Sequence, residues 1–170
     1  MDWLTESALA RMMNPIGTPT QENAVEPRLD FYTASPDAMK AMLALEASVN
    51  KLGLEPSLIE LIKLRASQIN GCAFCVDMHT TDALNAGETP RRLHGVSVWR
   101  ETPFFTARER AALAWTEAIT LLSQTHAPDA DYQAMRASFS ESEAVNVTLA
   151  ICTINSWNRL AVGFRKMPPA

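Results

Sequence analysis

The stretch LIELIKLRASQINGCAFCVDMHTTDA, residues 58–83, contains two of the three cysteines of the chain and one of its three histidines. Apolar residues recur through it at helical spacing, and an Asn-Gly pair interrupts the pattern near its middle. The pair favours the end of one helix, so that a second helix starts at or near Cys72. The stretch therefore predicts two consecutive helices that pack as an antiparallel hairpin.

Helical periodicity also runs through most of the remaining chain, and no segment shows sustained alternation rich in β-branched residues. We therefore predict an all-α fold. Two later helices begin with capping-box patterns, Thr106 with Glu109 and Ser140 with Glu143.

The domain organisation follows from a change in composition near the N-terminus. Residues 14–27 are rich in Pro, Gly and Thr and predict an extended segment. We expect residues 1–27 to form an N-terminal arm, with a possible short helix in its first dozen residues. Residues 28–170 are predicted to form a single helical domain.

Charge and hydropathy exclude several classes of protein. The 170-residue chain has a net charge of −4 and no run of Lys and Arg, which argues against binding to nucleic acid or to an anionic membrane. No apolar stretch approaches the roughly 18 residues of a membrane span. The N-terminus carries acidic residues where a secretory signal would carry basic ones. We expect a cytoplasmic protein.

The last predicted helix, AVNVTLAICTINSWNRLAV at residues 144–162, is apolar around most of its circumference. Such a helix has to be covered on several sides, which a small domain does poorly. A homo-oligomer is therefore expected. Cys152 in this helix is predicted to be a small buried hydrophobe.

Cys72, Cys75 and His79 are spaced to share one face of a helix. A thiol at a helix N-terminus has its thiolate form favoured by the unpaired backbone amides. A neutral His79, one turn from Cys75, can accept the thiol proton and later return it. An odd number of cysteines in a reducing compartment argues against a disulfide framework. The pattern predicts a reactive dithiol.

A bond between the two sulfurs would place a condition on the backbone. Residues three apart on a regular helix have Cβ atoms about 5–6 Å apart, whereas a disulfide needs about 3.5–4.5 Å. Cys72 must therefore lie outside regular helix to form the bond, and Gly71 makes that departure possible.

Glu60 is a carboxylate set among apolar neighbours in the first helix of the hairpin, and we expect it to be partly buried. The hairpin can bring it to the dithiol and His79, where it would orient the imidazole directly or through water and relay protons. The alternative is a solvated carboxylate that pairs with Lys63 or Arg65.

Glu60 and the run QINGCAFCVDMHTTDA, with its Cys72-x-x-Cys75-x-x-x-His79 arrangement, resemble the core of the carboxymuconolactone decarboxylase superfamily. More narrowly, they resemble its alkyl hydroperoxidase D-like branch. The resemblance extends over roughly residues 35–125 and weakens beyond to the general helical pattern and WNRLAV at 157–162. It implies an all-helical alkyl hydroperoxidase D-like fold that assembles as trimers or hexamers. Members of this branch with a dithiol reduce hydroperoxides, so the resemblance also implies a peroxidase.

The resemblance also implies roles for individual residues. Cys75 becomes the peroxidatic cysteine that forms a sulfenic acid, Cys72 the resolving thiol and proton donor, and Glu60 and His79 the proton relay. The substrate would be a small organic hydroperoxide or hydrogen peroxide, with no prosthetic group. An external dithiol, such as a lipoyl-bearing or thioredoxin-like protein, would reset the site. The chain departs from the best-studied motif at Phe74, where that motif has a histidine.

Several alternatives stay open from the sequence. Cys72, Cys75 and His79 could bind zinc, with a fourth ligand from His94, His126 or Cys152, although we expect no metal because no second CxxC or paired histidines are present. The cysteines could be an inert buried pair. Within the superfamily, a lyase that acts on a lactone acid is possible, and outside enzymes a redox-sensing module.

Overall fold

A computed structural model describes residues 26–169, so that residues 1–25 of the predicted arm lie outside the described part. The regular structure of this range is helical, which confirms the all-α prediction. The α-helices are α1 (Phe31–Ala34), α2 (Pro36–Val49), α3 (Pro56–Asn70), α4 (Ala73–Asn85), α5 (Pro90–Gly95), α6 (Ala107–Thr120), α7 (Leu122–Thr125), α8 (Asp129–Ser138) and α9 (Glu141–Gly163), with a 3-10 helix at Val96–Glu101. Across these helices, none combines the length and the apolar character that a membrane crossing requires.

The predicted hairpin is formed by α3 and α4, and its turn has a defined geometry. Gly71 adopts a left-handed φ of 66°. Its N–H donates to the Gln68 carbonyl at 3.3 Å, and the Cys72 N–H donates to the Ser67 carbonyl at 3.0 Å. These two bonds form a Schellman motif that ends α3. Cys72 follows in an extended conformation as the N-cap of α4, which confirms that it lies outside regular helix.

Helix α9 holds the same turn from its other side. Asn158 is almost fully buried, and its amide donates to Ser67 Oγ at 3.0 Å. The Asn70 amide donates to Asn158 Oδ1 at 2.9 Å. The Asn-Gly turn is therefore fixed both by its own backbone bonds and by a buried side chain of the last helix.

Helix α3 lies at the centre of the fold because it is apolar on more than one side. Leu58 and Ile62 pack into a core with side chains of α6, α8 and α9. Leu61 and Leu64 pack into a second core with α4, α5 and the 3-10 helix. Glu60 lies on this central helix, and its side chain is only 18% exposed.

Both predicted capping boxes are confirmed. The Thr106 and Ser140 hydroxyls accept from the N–H groups of Glu109 and Glu143, and each carboxylate accepts from the N–H of its cap residue. The pKa of Glu143 is lowered to about 2 by three hydrogen bonds. The largest effect comes from the Ser140 backbone, followed by Arg108 and the Ser140 hydroxyl. The start of α9 thus keeps an ionised carboxylate at its positive end.

Helix α9 is less completely covered than its composition predicts. Ile151 and Ile154 are buried, but Cys152 is exposed, so the prediction of a buried Cys152 is wrong. The physical reason is helical geometry: Cys152 shares a face with Val145, which is 67% exposed, and neither residue belongs to the core that α9 forms with α3 and α6. A homo-oligomer that covers this face stays a prediction.

We expect Gly71→Ala to lower the free energy of unfolding by about 1–2 kcal/mol, because a left-handed φ brings a Cβ close to the following carbonyl. Apart from its neighbours along the chain, no atom of the described residues lies within 4 Å of the added Cβ, so the cost comes from the local backbone. Gly163→Ala is the control, since its Cβ also meets open space and its φ is not left-handed. Urea unfolding of both variants in the oxidised form measures the two losses in free energy of unfolding. Equal losses would show that Gly71 is not held in a left-handed conformation.

Candidate active site

Cys72 and Cys75 lie side by side at the start of α4 and are paired as a disulfide, with Cα atoms 5.4 Å apart. The Cys75 N–H donates to Cys72 Sγ at 3.3 Å, so this sulfur occupies the acceptor position of a helix N-cap. The two residues are only 1% and 2% exposed. The sulfurs are therefore adjacent, as a reactive dithiol requires, and shielded from bulk water.

His79 and Glu60 form the contact that the hairpin predicts. His79 Nδ1 lies 2.8 Å from Glu60 Oε2, and both side chains are largely buried. An ionised carboxylate only accepts hydrogen bonds, so Nδ1 carries the proton. In the neutral imidazole, Nε2 then has a free lone pair. Nε2 is buried and has no hydrogen-bond partner among residues 26–169, which leaves it available to accept a proton.

Lys63 extends this pair into a buried chain of charges. Lys63 is 4% exposed and forms an ion pair with Glu46 of α2. Its ammonium nitrogen also lies 3.9 Å from Glu60 Oε1. The Glu46 carboxylate accepts a second bond, from Trp157 Nε1 at 3.1 Å. Glu60 therefore contacts both His79 and Lys63.

Glu46, Lys63 and Trp157 belong to this network although the sequence alone does not predict them there. Lys63 was considered only as a surface partner of Glu60, and the other proposed partner, Arg65, pairs with Glu117 instead. A signal was present in Lys63, which occurs in the apolar run LIELIKL three residues after Glu60. For Glu46 and Trp157 no local signal existed, because α2 and α9 meet α3 only in the folded chain.

A cavity of about 320 Å³ opens onto Cys75, His79 and Glu60. Its other walls are mainly apolar. They include the side chains of Leu43, Phe74, Met78 and Trp157, together with the basic side chain of Lys166. Two larger surface grooves lie beside Cys152 and contain none of the four predicted site residues. Three of the four predicted residues thus converge on one cavity of the size of a small ligand site, and the fourth, Cys72, is bonded to Cys75.

The zinc set considered from the sequence does not assemble in the described part of the chain. Cys72 and Cys75 are bonded to each other, and the proposed fourth ligands His94, His126 and Cys152 are all exposed. A different group, Glu60, His79 and Asp82, places one ligand atom each within 4.8 Å of one another. Glu60 is already hydrogen-bonded to His79 and close to an ammonium group, so we assign no metal to it.

With this geometry established, comparison with known proteins identifies the class. The sequence model of the Carboxymuconolactone decarboxylase family matches residues 36–118. The uncharacterised protein YdfG of Bacillus subtilis is 41% identical over 135 residues, which cover 79% of this chain and 92% of YdfG. The chain belongs to the carboxymuconolactone decarboxylase family.

Solved structures show which branch of the family the fold resembles. A protein of unknown function from Agrobacterium tumefaciens, with a suggested identity as the antioxidant defence protein AhpD, has a TM-score of 0.84 and 50% identity, covering 85% of this chain and 99% of that one. The debrominase Bmp8 has a TM-score of 0.74 at 20% identity, covering 81% and 74%, and shows the shared fold alone. These similarities confirm the alkyl hydroperoxidase D-like fold.

We expect Lys63→Met to destabilise the protein by about 2–3 kcal/mol, because removing one partner of a largely buried ion pair leaves the other charge uncompensated. Glu46 keeps some contact with solvent, which holds the loss below that of a fully buried pair. Lys40→Met is the matched control, since its pair with Asp37 is solvent-exposed and should contribute nothing measurable. Urea unfolding at neutral pH measures both, and equal losses would show that the Lys63 pair behaves like a surface pair.

Proposed function

We propose that this protein is a thiol-dependent peroxidase that reduces small organic hydroperoxides or hydrogen peroxide through a Cys75 sulfenic acid and a Cys72–Cys75 disulfide. The observation that carries the proposal is the adjacent, buried cysteine pair, whose Cys75 lines the same cavity as the hydrogen-bonded Glu60 and His79. The 50% identity to a protein with a suggested role in antioxidant defence supports it.

In the first step, His79 Nε2 accepts the Cys75 thiol proton, and the thiolate attacks the terminal oxygen of the hydroperoxide. An S–O bond forms as the O–O bond breaks, so that sulfur loses two electrons and the peroxide gains them. The departing alkoxide takes a proton from the imidazolium and leaves as an alcohol. Glu60 stabilises the imidazolium through its bond to Nδ1.

In the second step, the Cys72 thiolate attacks Cys75 sulfur, the S–S bond forms and the S–O bond breaks. The leaving hydroxide takes the proton released by Cys72 and departs as water. The sum is one hydroperoxide and two thiols converted to one alcohol, one water and one disulfide. Turnover then requires two electrons from an external dithiol.

We expect Cys75→Ser to reduce dithiol-dependent peroxide consumption to the background rate, because the attacking sulfur is lost. Cys72→Ser should give one turnover and a sulfenic acid at residue 75, detected by mass spectrometry after dimedone trapping. Cys152→Ser is the control and should keep full activity, since Cys152 lies outside the cavity. Full activity of Cys75→Ser would refute the mechanism. A lactone-acid lyase and a redox-sensing module, the alternatives from the sequence, both predict no dithiol-dependent turnover of peroxide in any variant.

The burial of the disulfide also bears on the electron donor. Thiol–disulfide exchange requires the attacking thiolate to reach a sulfur atom directly. Both cysteines are at most 2% exposed, and the described approach to Cys75 is the 320 Å³ cavity. A slender dithiol arm of the lipoyl type can enter such a cavity, whereas the thiol of a folded thioredoxin-like protein is held close to its own surface. We therefore propose a lipoyl-type donor.

We expect dihydrolipoamide to reduce the oxidised protein at least about tenfold faster than reduced thioredoxin at equal dithiol concentration, because access to the sulfurs limits exchange. Alkylation of the released thiols followed by mass spectrometry measures the rate. Reaction of both donors with Ellman's reagent is the control for their intrinsic activity. Equal rates, or faster reduction by thioredoxin, would contradict a donor that enters the cavity.

A further inference from the structure

Lys166 reaches the cavity because α9 ends in a strained turn. Arg165 has a left-handed φ of 55°. Its N–H donates to the Val162 carbonyl at 3.2 Å, and the Lys166 N–H donates to the Ala161 carbonyl at 2.9 Å. This is a Schellman turn without the usual glycine, a conformation that costs a non-glycine residue free energy. The turn folds the chain back so that Lys166 lines the same cavity as Cys75.

Three aromatic rings surround the ammonium group of Lys166. Its nitrogen lies 4.8 Å from the ring centroid of Phe74, 4.9 Å from that of Tyr32 and 5.6 Å from that of Phe31. Cation–π contacts fix the position of an ammonium group but leave its positive charge in place. Phe74 is the residue at which the chain departs from the best-studied dithiol motif, and the structure shows it as part of this aromatic group.

Lys166 is a cavity cation that no carboxylate of residues 26–169 neutralises. Within the described part of the chain its ammonium group forms no ion pair. The other cavity ammonium, on Lys63, is paired with Glu46. Glu60 is held by His79, and Asp82 is exposed to solvent. An anion that enters the cavity therefore finds an available positive charge at Lys166.

We propose that the cavity selects hydroperoxides that carry a carboxylate at the far end of a short apolar chain. The proposal rests on the peroxidase function proposed above and names its substrate class. The carboxylate binds Lys166, the chain lies against Leu43, Met78 and Trp157, and the hydroperoxide group meets Cys75 and His79. The reaction then converts a hydroperoxy acid and the dithiol to the hydroxy acid, water and the disulfide.

The first test compares turnover of 8-hydroperoxyoctanoate with that of its neutral primary amide, which has nearly the same shape. We expect the wild-type kcat/KM to favour the acid by about tenfold, the effect of one charge-assisted contact, mainly through KM. Lys166→Met should bring the ratio of acid to amide close to one, and Lys166→Arg should keep most of it. Lys40→Met, an exposed lysine on α2, should leave the ratio unchanged. A wild-type ratio near one overturns the proposal.

The second test does not depend on peroxidase activity. Calorimetric titration of the oxidised protein compares octanoate with octanamide, and we expect octanoate to bind about tenfold more tightly. This preference should fall with added salt and disappear in Lys166→Met. If Lys166→Met does not fold, the comparison of octanoate with octanamide on the wild-type protein still tests the proposal, because equal affinities for the two ligands overturn it. Selective octanoate binding without any hydroperoxide turnover would support the carboxylate site and refute the peroxidase function.

Discussion

The turn between α3 and α4 is the constraint on which the rest of the site depends. Gly71 can adopt the left-handed conformation at no steric cost, and it ends the central helix within one residue. As a result, Cys72 lies outside regular helix, next to Cys75, while the two helices run antiparallel with Glu60 against His79. Asn158 fixes the same turn through buried hydrogen bonds from α9. The relative positions of both sulfurs, the imidazole and the carboxylate follow from this geometry.

The second organising feature is a chain of charges that is buried but mutually compensated. Glu46, Lys63, Glu60 and His79 follow one another from α2 through α3 to α4. Charges in a weakly polar environment interact more strongly than in water, and each isolated one would be costly to bury. The chain therefore joins three helices and directs Nδ1 of the imidazole toward the Glu60 carboxylate. Trp157 completes it by donating to Glu46.

The burial of the cysteines beside the cavity relates this arrangement of charges to the proposed chemistry. Cys75 lies at a cavity whose walls are largely apolar, and among residues 26–169 the charged groups of this cavity are engaged with one another except for Lys166 and the solvent-exposed Asp82. In the proposed function, a hydroperoxide group would meet Cys75 and His79 in this cavity. The same enclosure restricts which electron donor can reach the disulfide. Substrate and donor selection would then share a single route, with Phe74 between the dithiol and Lys166.

The sequence by itself determined the features that depend on neighbours along the chain. The helices, both capping boxes, the Asn-Gly turn, and the common face of Cys75 and His79 all follow from spacing and local conformational preference. Even the contact between Glu60 and His79 is predictable from the sequence, because the two residues lie on consecutive helices that a tight turn joins. Family resemblance then added roles that spacing cannot supply.

Only the tertiary structure decided which distant segments meet at the cavity. Glu46, Trp157 and Lys166 lie far from Cys75 in sequence, and nothing near them marks them as neighbours of the dithiol. The exposure of Cys152 was likewise decided by which face of α9 turns toward α3 and α6, since the helix is apolar on several sides. Local spacing specifies the order of side chains around a helix, but packing against other helices selects the face that is buried.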